Sequence, residues 1–188
     1  MSHKKYPIRL PRFAAGIRAQ ESRATTGRSW WSRRWLSTLE SMGLGARLGR
    51  GRNYALSGQV TSLRLEGPHV EATVVGSRPD PYRVTLDFTV GDAAARNRIR
   101  AKLFDEPILL ARLLAGDLPM EVESLFKEEG LHLFPGGKIG PGKYDMTTAC
   151  SCPDWANPCK HTSAVLLLLG EEIARRPFTL LELRGIFL

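Results

Sequence analysis

The sequence predicts a small α+β protein. It reads as a three-stranded antiparallel meander with helices, followed by a C-terminal hairpin clipped to a helix by clustered cysteines and a histidine. Three observations carry this. Tyr82, Val84, Leu86, Phe88 and Val90 alternate with Arg83, Thr85, Asp87 and Thr89, the period of a strand with one buried face. Trp31, Trp35, Leu39 and Met42 recur at i, i+4, i+8 and i+11, the spacing of one helix face. All 3 cysteines fall within residues 150–161.

In order along the chain, residues 1–28 are expected to form a basic, flexible arm. Arg9, Arg12, Arg18, Arg23 and Arg28 recur there among Pro7, Pro11, Gly16 and Gly27, with no helical period. Such a segment is free to order on a partner. Residues 29–42 read as a helix with Ser29 as N-cap; Arg33 and Arg34 flank its apolar stripe. Trp30 lies off that stripe and is a candidate for stacking on a base or filling an interface pocket. Gly43, Gly45, Gly49 and Gly51, interleaved with Arg47, Arg50 and Arg52, read as a basic loop that exposes its backbone to phosphate. The glycines do not form G-x-G-x-x-G, since Leu48 takes the last position and no strand precedes them, so a dinucleotide site is excluded.

Strands are expected at about 58–65, 70–75 and 82–90, separated by Glu66-Gly67-Pro68 and by the breaker run 76–81. His69 sits at the first turn and reads as solvent-exposed. Three helices are expected within 92–129. Asp92, Asp105 and Asp117 are candidate N-caps, Pro107 and Pro119 suit first turns, and Gly116 and Gly130 are stops. Ile108, Leu109, Leu110, Leu113 and Leu114 read as core. The organisation predicted is the arm 1–28, an α+β scaffold 29–134 and a metal-clipped unit 135–188. Gly137 to Lys143 mimics a phosphate-binding loop until Tyr144 replaces the required Ser or Thr. Without that hydroxyl and a following helix the mechanism fails. Lys138 and Lys143 remain as a possible basic tip.

The cluster is Cys150-x-Cys152, six residues, then Cys159-x-His161. Three thiols and an imidazole are the donor set of a closed structural zinc site. Cys150 and Cys152 share one face of an extended arm, and Pro153, Asn157 and Pro158 can turn the chain back. Cys159 and His161 then open a helix at about 160–175, carrying the apolar run 164–169. The helix N-terminus and Lys160 offset thiolate charge. A disulfide scaffold is disfavoured by an odd number of cysteines. A catalytic Cys–His pair leaves the other two thiols unexplained. One histidine and unsuitable spacing argue against an iron–sulfur cluster. Four protein ligands leave no open position for substrate, and His3, His69 and His132 form no second cluster; the expectation is one structural zinc per chain and no catalysis.

The formal charge of +8 is unevenly spread. Residues 1–56 hold 12 Lys/Arg against 2 acids, +10, while residues 57–188 hold 15 against 17, −2. A basic block of this kind is the footprint of a polyanion. Nucleic acid is the first reading, a protein or RNA-containing assembly surface the second, and a solvated tail without a partner the third. No apolar run reaches the roughly 18–20 residues of a membrane span, and the basic N-terminus lacks a signal-peptide apolar region. With reduced thiols, a cytoplasmic protein is expected.

The string from Cys150-Ser151-Cys152-Pro153-Asp154-Trp155 to Pro158-Cys159-Lys160-His161, then Ala164-Val165, resembles the SWIM zinc finger, in particular that of bacterial SWIM-finger proteins. Upstream pieces are similar too: Trp30-Trp31, Arg50-Gly51, Tyr54-Ala55, Gly58-Gln59-Val60, Gly76-Ser77-Arg78 and Pro81-Tyr82-Arg83-Val84. So is the tail from Pro177-Phe178 to Leu183-Arg184-Gly185. The resemblance implies zinc on Cys150, Cys152, Cys159 and His161, and a role in DNA binding, protein binding or both. The expectation is therefore a non-catalytic nucleic-acid-binding adapter, with DNA ahead of RNA and no membrane or small-molecule substrate. Its expected phosphate contacts are Arg9, Arg12, Arg18, Arg23, Arg28, Arg33, Arg34, Arg47, Arg50, Arg52, Lys138 and Lys143. The alternative is a protein-interaction subunit of a larger DNA- or RNA-processing complex: a Swi/Snf-type ATPase, recombination or transcription machine.

Overall fold

The structure, a computed structural model, describes residues 10–20, 29–136, 138–140 and 143–188. Arg9, Arg23 and Arg28 lie outside the described residues, as do the side chains of Lys138 and Lys143. The described elements run α1 (Trp30–Ser41), α2 (Ala46–Leu56), β1 (Val60–Glu66), β2 (His69–Val74), β3 (Tyr82–Phe88), α3 (Ala93–Asp105), α4 (Pro107–Leu114), α5 (Met120–Glu128), β4 (Lys138–Gly140), β5 (Lys143–Tyr144), β6 (Met146–Cys150), α6 (Lys160–Arg175) and α7 (Thr179–Leu183).

The expected meander is present and carries a fourth strand. The order is β1-β2-β3-β6, antiparallel throughout. β6 pairs with β3 so that Cys150 stands opposite Val84 and Met146 opposite Phe88. The first arm of the metal unit is thus an outer strand of the main sheet. The separate two-stranded β4-β5 pair precedes it. This pairing joins residues 58–66 positions apart, which local sequence cannot specify.

α6 is the central helix. Its buried residues run from His161 to Ile173, and it packs on the sheet, α1 and α2. The inner sheet face contributes Val60, Val70, Ala72, Val74, Val84 and Leu86. The tryptophan stripe of α1 meets α6 as its period requires. Trp35 is fully buried, its indole N–H donates to the Leu166 carbonyl at 3.0 Å, and its ring lies against Gly170. Ser29 caps α1 by accepting from the Ser32 amide. Trp30 corrects the expectation of a free ring: it is half-buried, donates to the Leu118 carbonyl at 2.6 Å and packs edge-on to Phe134.

The expected glycine-rich loop is a correction too, because residues 46–56 form α2. Two helical glycines, Gly49 and Gly51, disfavour a helix by ~1 kcal/mol each relative to Ala, and packing overrides that cost. A Cβ on Gly51 would lie 2.5 Å from the Ser163 Cβ and 2.9 Å from the Lys160 carbonyl oxygen. Hydrogen at this position is what lets α2 lie directly on the first turn of α6.

Asp92 caps α3 by accepting from the Ala95 amide at 2.7 Å. Asp105 and Asp117 do not cap. Asp105 ends α3, Glu106 and Pro119 occupy the next two N-cap positions, and Asp117 pairs with Arg112 at 2.7 Å. Pro107 begins α4 as expected. The apolar run of α4 is not core throughout: Leu113 is buried, but Ile108 is 79% and Leu114 71% exposed. Five large apolar residues within seven positions exceed what one helix face can turn inward.

Two segments expected to be peripheral are tied in. Residues 10–20 run along the β1 edge, with backbone hydrogen bonds from Arg12 to Gly76, Gly16 to Gly58, Ile17 to Val60 and Ala19 to Ala55. Over those residues the arm is a strap, not a free tail. At the other terminus Leu180, Leu181, Leu183 and Ile186 are buried in the common core. Arg184 is buried with them and donates to Asp145 Oδ2 at 2.8 Å and to the carbonyls of Leu133, Thr89 and Asp145.

Candidate metal centre

β6 ends at Cys150, and the sheet pairing continues one residue further. The Ser151 amide donates to the Arg83 carbonyl, and the Ser151 hydroxyl accepts from the Arg83 amide, both at 3.0 Å. Cys150 and Cys152 are therefore held on either side of a fixed residue. The loop that follows is braced at both ends. Asp154 Oδ1 accepts from the Ala156 amide at 3.2 Å. Asn157 bonds Thr148 twice, donating to its carbonyl and accepting from its hydroxyl at 2.6 Å. The chain then enters α6, with Cys159 at the N-cap and His161 in the first turn.

The four ligand atoms lie within 4.8 Å of one another. His161 presents Nδ1, 3.7 Å from Cys159 Sγ and 3.8 Å from Cys150 Sγ. Tetrahedral ligands at ~2.0–2.3 Å from one ion sit roughly 3.3–3.8 Å apart, and both imidazole-to-sulfur distances fit zinc. Cys159 is held far below the ordinary thiol range by a hydrogen bond from Cys150, with His161 and Thr162 adding to it against burial. Cys150 is pushed far above that range, first by its bond to Cys159 and then by burial, while burial raises Cys152. Three thiolates this close repel one another unless a cation sits among them. Zinc would be held by Cys150, Cys152, Cys159 and His161 Nδ1, and it would supply folding energy.

The histidine ring has a built pocket that sequence reasoning did not assign. Tyr82 packs over it at 4.5 Å between centroids and Tyr54 meets it edge-on at 5.2 Å. Nδ1 ligation leaves the proton on Nε2, and Nε2 is buried among these rings with no hydrogen-bond partner among the described residues. Gly76 lies under Tyr82, where a Cβ would come within 2.3 Å of the ring. The upstream pieces that carry the resemblance thus converge on the metal: Gly51 seats α2 on α6, Tyr54 and Tyr82 flank His161, and Gly76 makes room for Tyr82. Their signal was present in the sequence as scattered short matches.

The expected phosphate contacts are divided by the structure. Arg12 and Arg18 are exposed on the strap, beside Gly76 and Gly58. Arg47 and Arg50 stand on α2, and the Arg47 guanidinium lies 5.6 Å from the centre of the Trp155 ring. Arg52 is half-buried in a groove with Trp35, Gly170 and Glu171. Arg33 and Arg34 lie on the outer face of α1, and Arg34 reaches Glu123 at 3.5 Å. Trp155, which sequence reasoning quoted only as part of the motif, is 91% exposed on the braced loop.

Residues 143–170 match the SWIM zinc finger family model. Over 179 residues, 95% of its length, the chain is 38% identical to Uncharacterized protein Rv2102 of Mycobacterium tuberculosis. The chain spans 63% of that relative's length. No solved structure matches. SWIM zinc fingers are modules of nucleic-acid or protein interaction, and no described helix is long and apolar enough to cross a membrane. The matched span contains the Cys150, Cys152, Cys159 and His161 cluster, and the chain carries a SWIM zinc finger that holds one structural zinc.

Proposed function

We propose that this is a non-catalytic nucleic-acid-binding adapter, with DNA ahead of RNA, in which the zinc finger and the elements packed on it present a phosphate-binding surface. The observation that supports it is how the surface charges are paired. Away from the metal, many cations are matched, Arg98 with Glu129, Lys102 with Glu128, Arg112 with Asp117, and Arg175 and Arg176 with Glu172, while Arg64, Arg96 and Arg100 have no ion pair with a described residue. Arg12, Arg18, Arg47, Arg50 and Arg78 form no ion pair with a described residue. They come from the strap, α2 and the β2–β3 link, which meet around the finger. Unmatched cations are free to neutralise phosphate and release its counterions. Four protein ligands on the zinc leave no position for a reacting group.

A protein partner is the second reading, favoured by Phe104, Ile108, Leu114 and Met120, which are large, apolar and exposed along α3 to α5. Titration of labelled oligonucleotides at increasing salt separates the two. If four arginines meet phosphate, the slope of log affinity against log salt is about −3 to −4 on duplex. Replacing Arg47 and Arg50 by alanine should lower its magnitude by about 2. Point substitutions are preferable to deleting residues 1–28, since residues 10–20 are hydrogen-bonded to the body. Wild-type protein that binds neither duplex nor single strand at low salt leaves only the second reading.

A further inference from the structure

We infer that the loop between Cys152 and Cys159 is a base-stacking subsite for single-stranded nucleic acid, with Trp155 as platform and Arg47 beside it for the adjacent phosphate. The inference rests on the nucleic-acid reading above and names the form of nucleic acid that the finger takes.

A solitary exposed apolar side chain on a surface needs no explanation. Trp155 differs through its setting. Trp31 and Trp35 are buried and Trp30 is half-buried with its N–H bonded, so Trp155 alone among the tryptophans is turned to solvent, at 91% exposure. It stands midway along a loop fixed at each end by a metal ligand and cross-braced by Asp154 and Asn157. A platform held this way loses little conformational freedom when something stacks on it, and rigid presentation is what makes a contact contribute to affinity. Arg47 lies 5.6 Å from the ring centre, within the ~6 Å of a cation–π pair. It lies over one face of the ring and has no ion pair among the described residues, so the opposite face stays open with a cation close by.

This pairing of an open π-face with a neighbouring cation is the unit by which proteins hold single strands. It discriminates between nucleic-acid forms. In a duplex the base faces are stacked on one another and only edges and phosphates are accessible. A free indole face can gain stacking energy only from a base that is already unstacked. The exposed arginines of the strap and α2 would serve either form, so Trp155 is the group whose removal tells the two forms apart.

The test uses the zinc-loaded full chain with an oligo-dT strand and a hairpin duplex of matched charge, read by anisotropy and by tryptophan emission. Wild type should quench on the single strand. Trp155→Ala should weaken oligo-dT binding by about 5- to 150-fold, the range that one stacked base contributes, and should leave the duplex within about two-fold. Trp155→Phe should restore most of the single-strand affinity while losing the quenching. Unchanged zinc content and thermal midpoint guard against a folding effect. Equal weakening of both forms, or no weakening of either, overturns the inference while the nucleic-acid reading stands. Absence of binding to both forms by wild type removes that underlying reading as well.

Discussion

Replacing Cys152 with serine is expected to strip the zinc and to unfold the common core. Partners one shell out from a metal ligand are worth ~10–100-fold in metal affinity, and a direct thiolate ligand exceeds that. Structural zinc contributes about 10–16 kcal/mol in small finger peptides, and that is folding free energy. A domain with ~5–15 kcal/mol of net stability cannot absorb a loss on that scale. The loss spreads because of where the ligands sit. Cys150 is paired to β3, and Cys159 and His161 open the helix on which α1, α2 and the sheet all pack. Metal analysis, with the near-ultraviolet signal of the buried Trp35 as a reporter of the core, checks this. A serine variant that keeps wild-type stability without metal would show that the thiols do not carry the fold.

The second large effect is expected at Arg184. Its side chain and that of Asp145 are 4% and 5% exposed and 2.8 Å apart. Burial lowers the Arg184 pKa, and the charge and hydrogen bond of Asp145 oppose it. Arg184→Met leaves a buried carboxylate that still accepts the Gly136 amide at 2.7 Å but has lost its counter-ion. It also removes the donor to three carbonyls, those of Leu133, Thr89 and Asp145. Breaking a buried pair from one side costs about 3–5 kcal/mol, and a denaturant titration of zinc-loaded protein should show a loss of that size. Adding Asp145→Asn to the variant should recover part of it, since the stranded charge is then gone. A single variant within ~1 kcal/mol of wild type, below the cost of breaking a buried pair, would mean that the tail is not locked by this pair.

The parts legible in the sequence were those whose cause is local. The metal donors lie within twelve positions, and the helix from Lys160 to Arg175 follows directly from its apolar period and its start at Cys159. The alternation over β3 and the stripe of α1 are likewise short-range, and their inward residues are buried as expected, except that Met42 and Val90 fall past the ends of these elements and are half-buried. What was missed depends on distant partners. α2 looked like a loop because its glycines are poor helix formers, and only α6 explains Gly51. β6 could not be assigned to the sheet without β3. The strap from residue 10 to 20 is set by hydrogen bonds to Gly58, Val60 and Gly76, none of which leaves a mark on a segment rich in arginine and proline. Tyr54 and Tyr82 became meaningful only once both were seen against His161.

The charge distribution shows the same division. Composition located the positive excess in residues 1–56. The structure adds that α2 and the strap bring several of those arginines to the finger. It also shows that Arg34 and Arg52 are partly engaged elsewhere, by Glu123 and by the groove beside Trp35.

Cys150, Cys152, Cys159 and His161 make a closed zinc centre that joins the sheet to α6. X-ray absorption at the zinc edge on the purified, metal-quantified protein tests it most directly. One zinc per chain is expected, with three sulfur ligands at ~2.3 Å, one nitrogen at ~2.0 Å and no further oxygen. Two sulfurs with a coordinated water, or folded protein with no zinc bound, would contradict it.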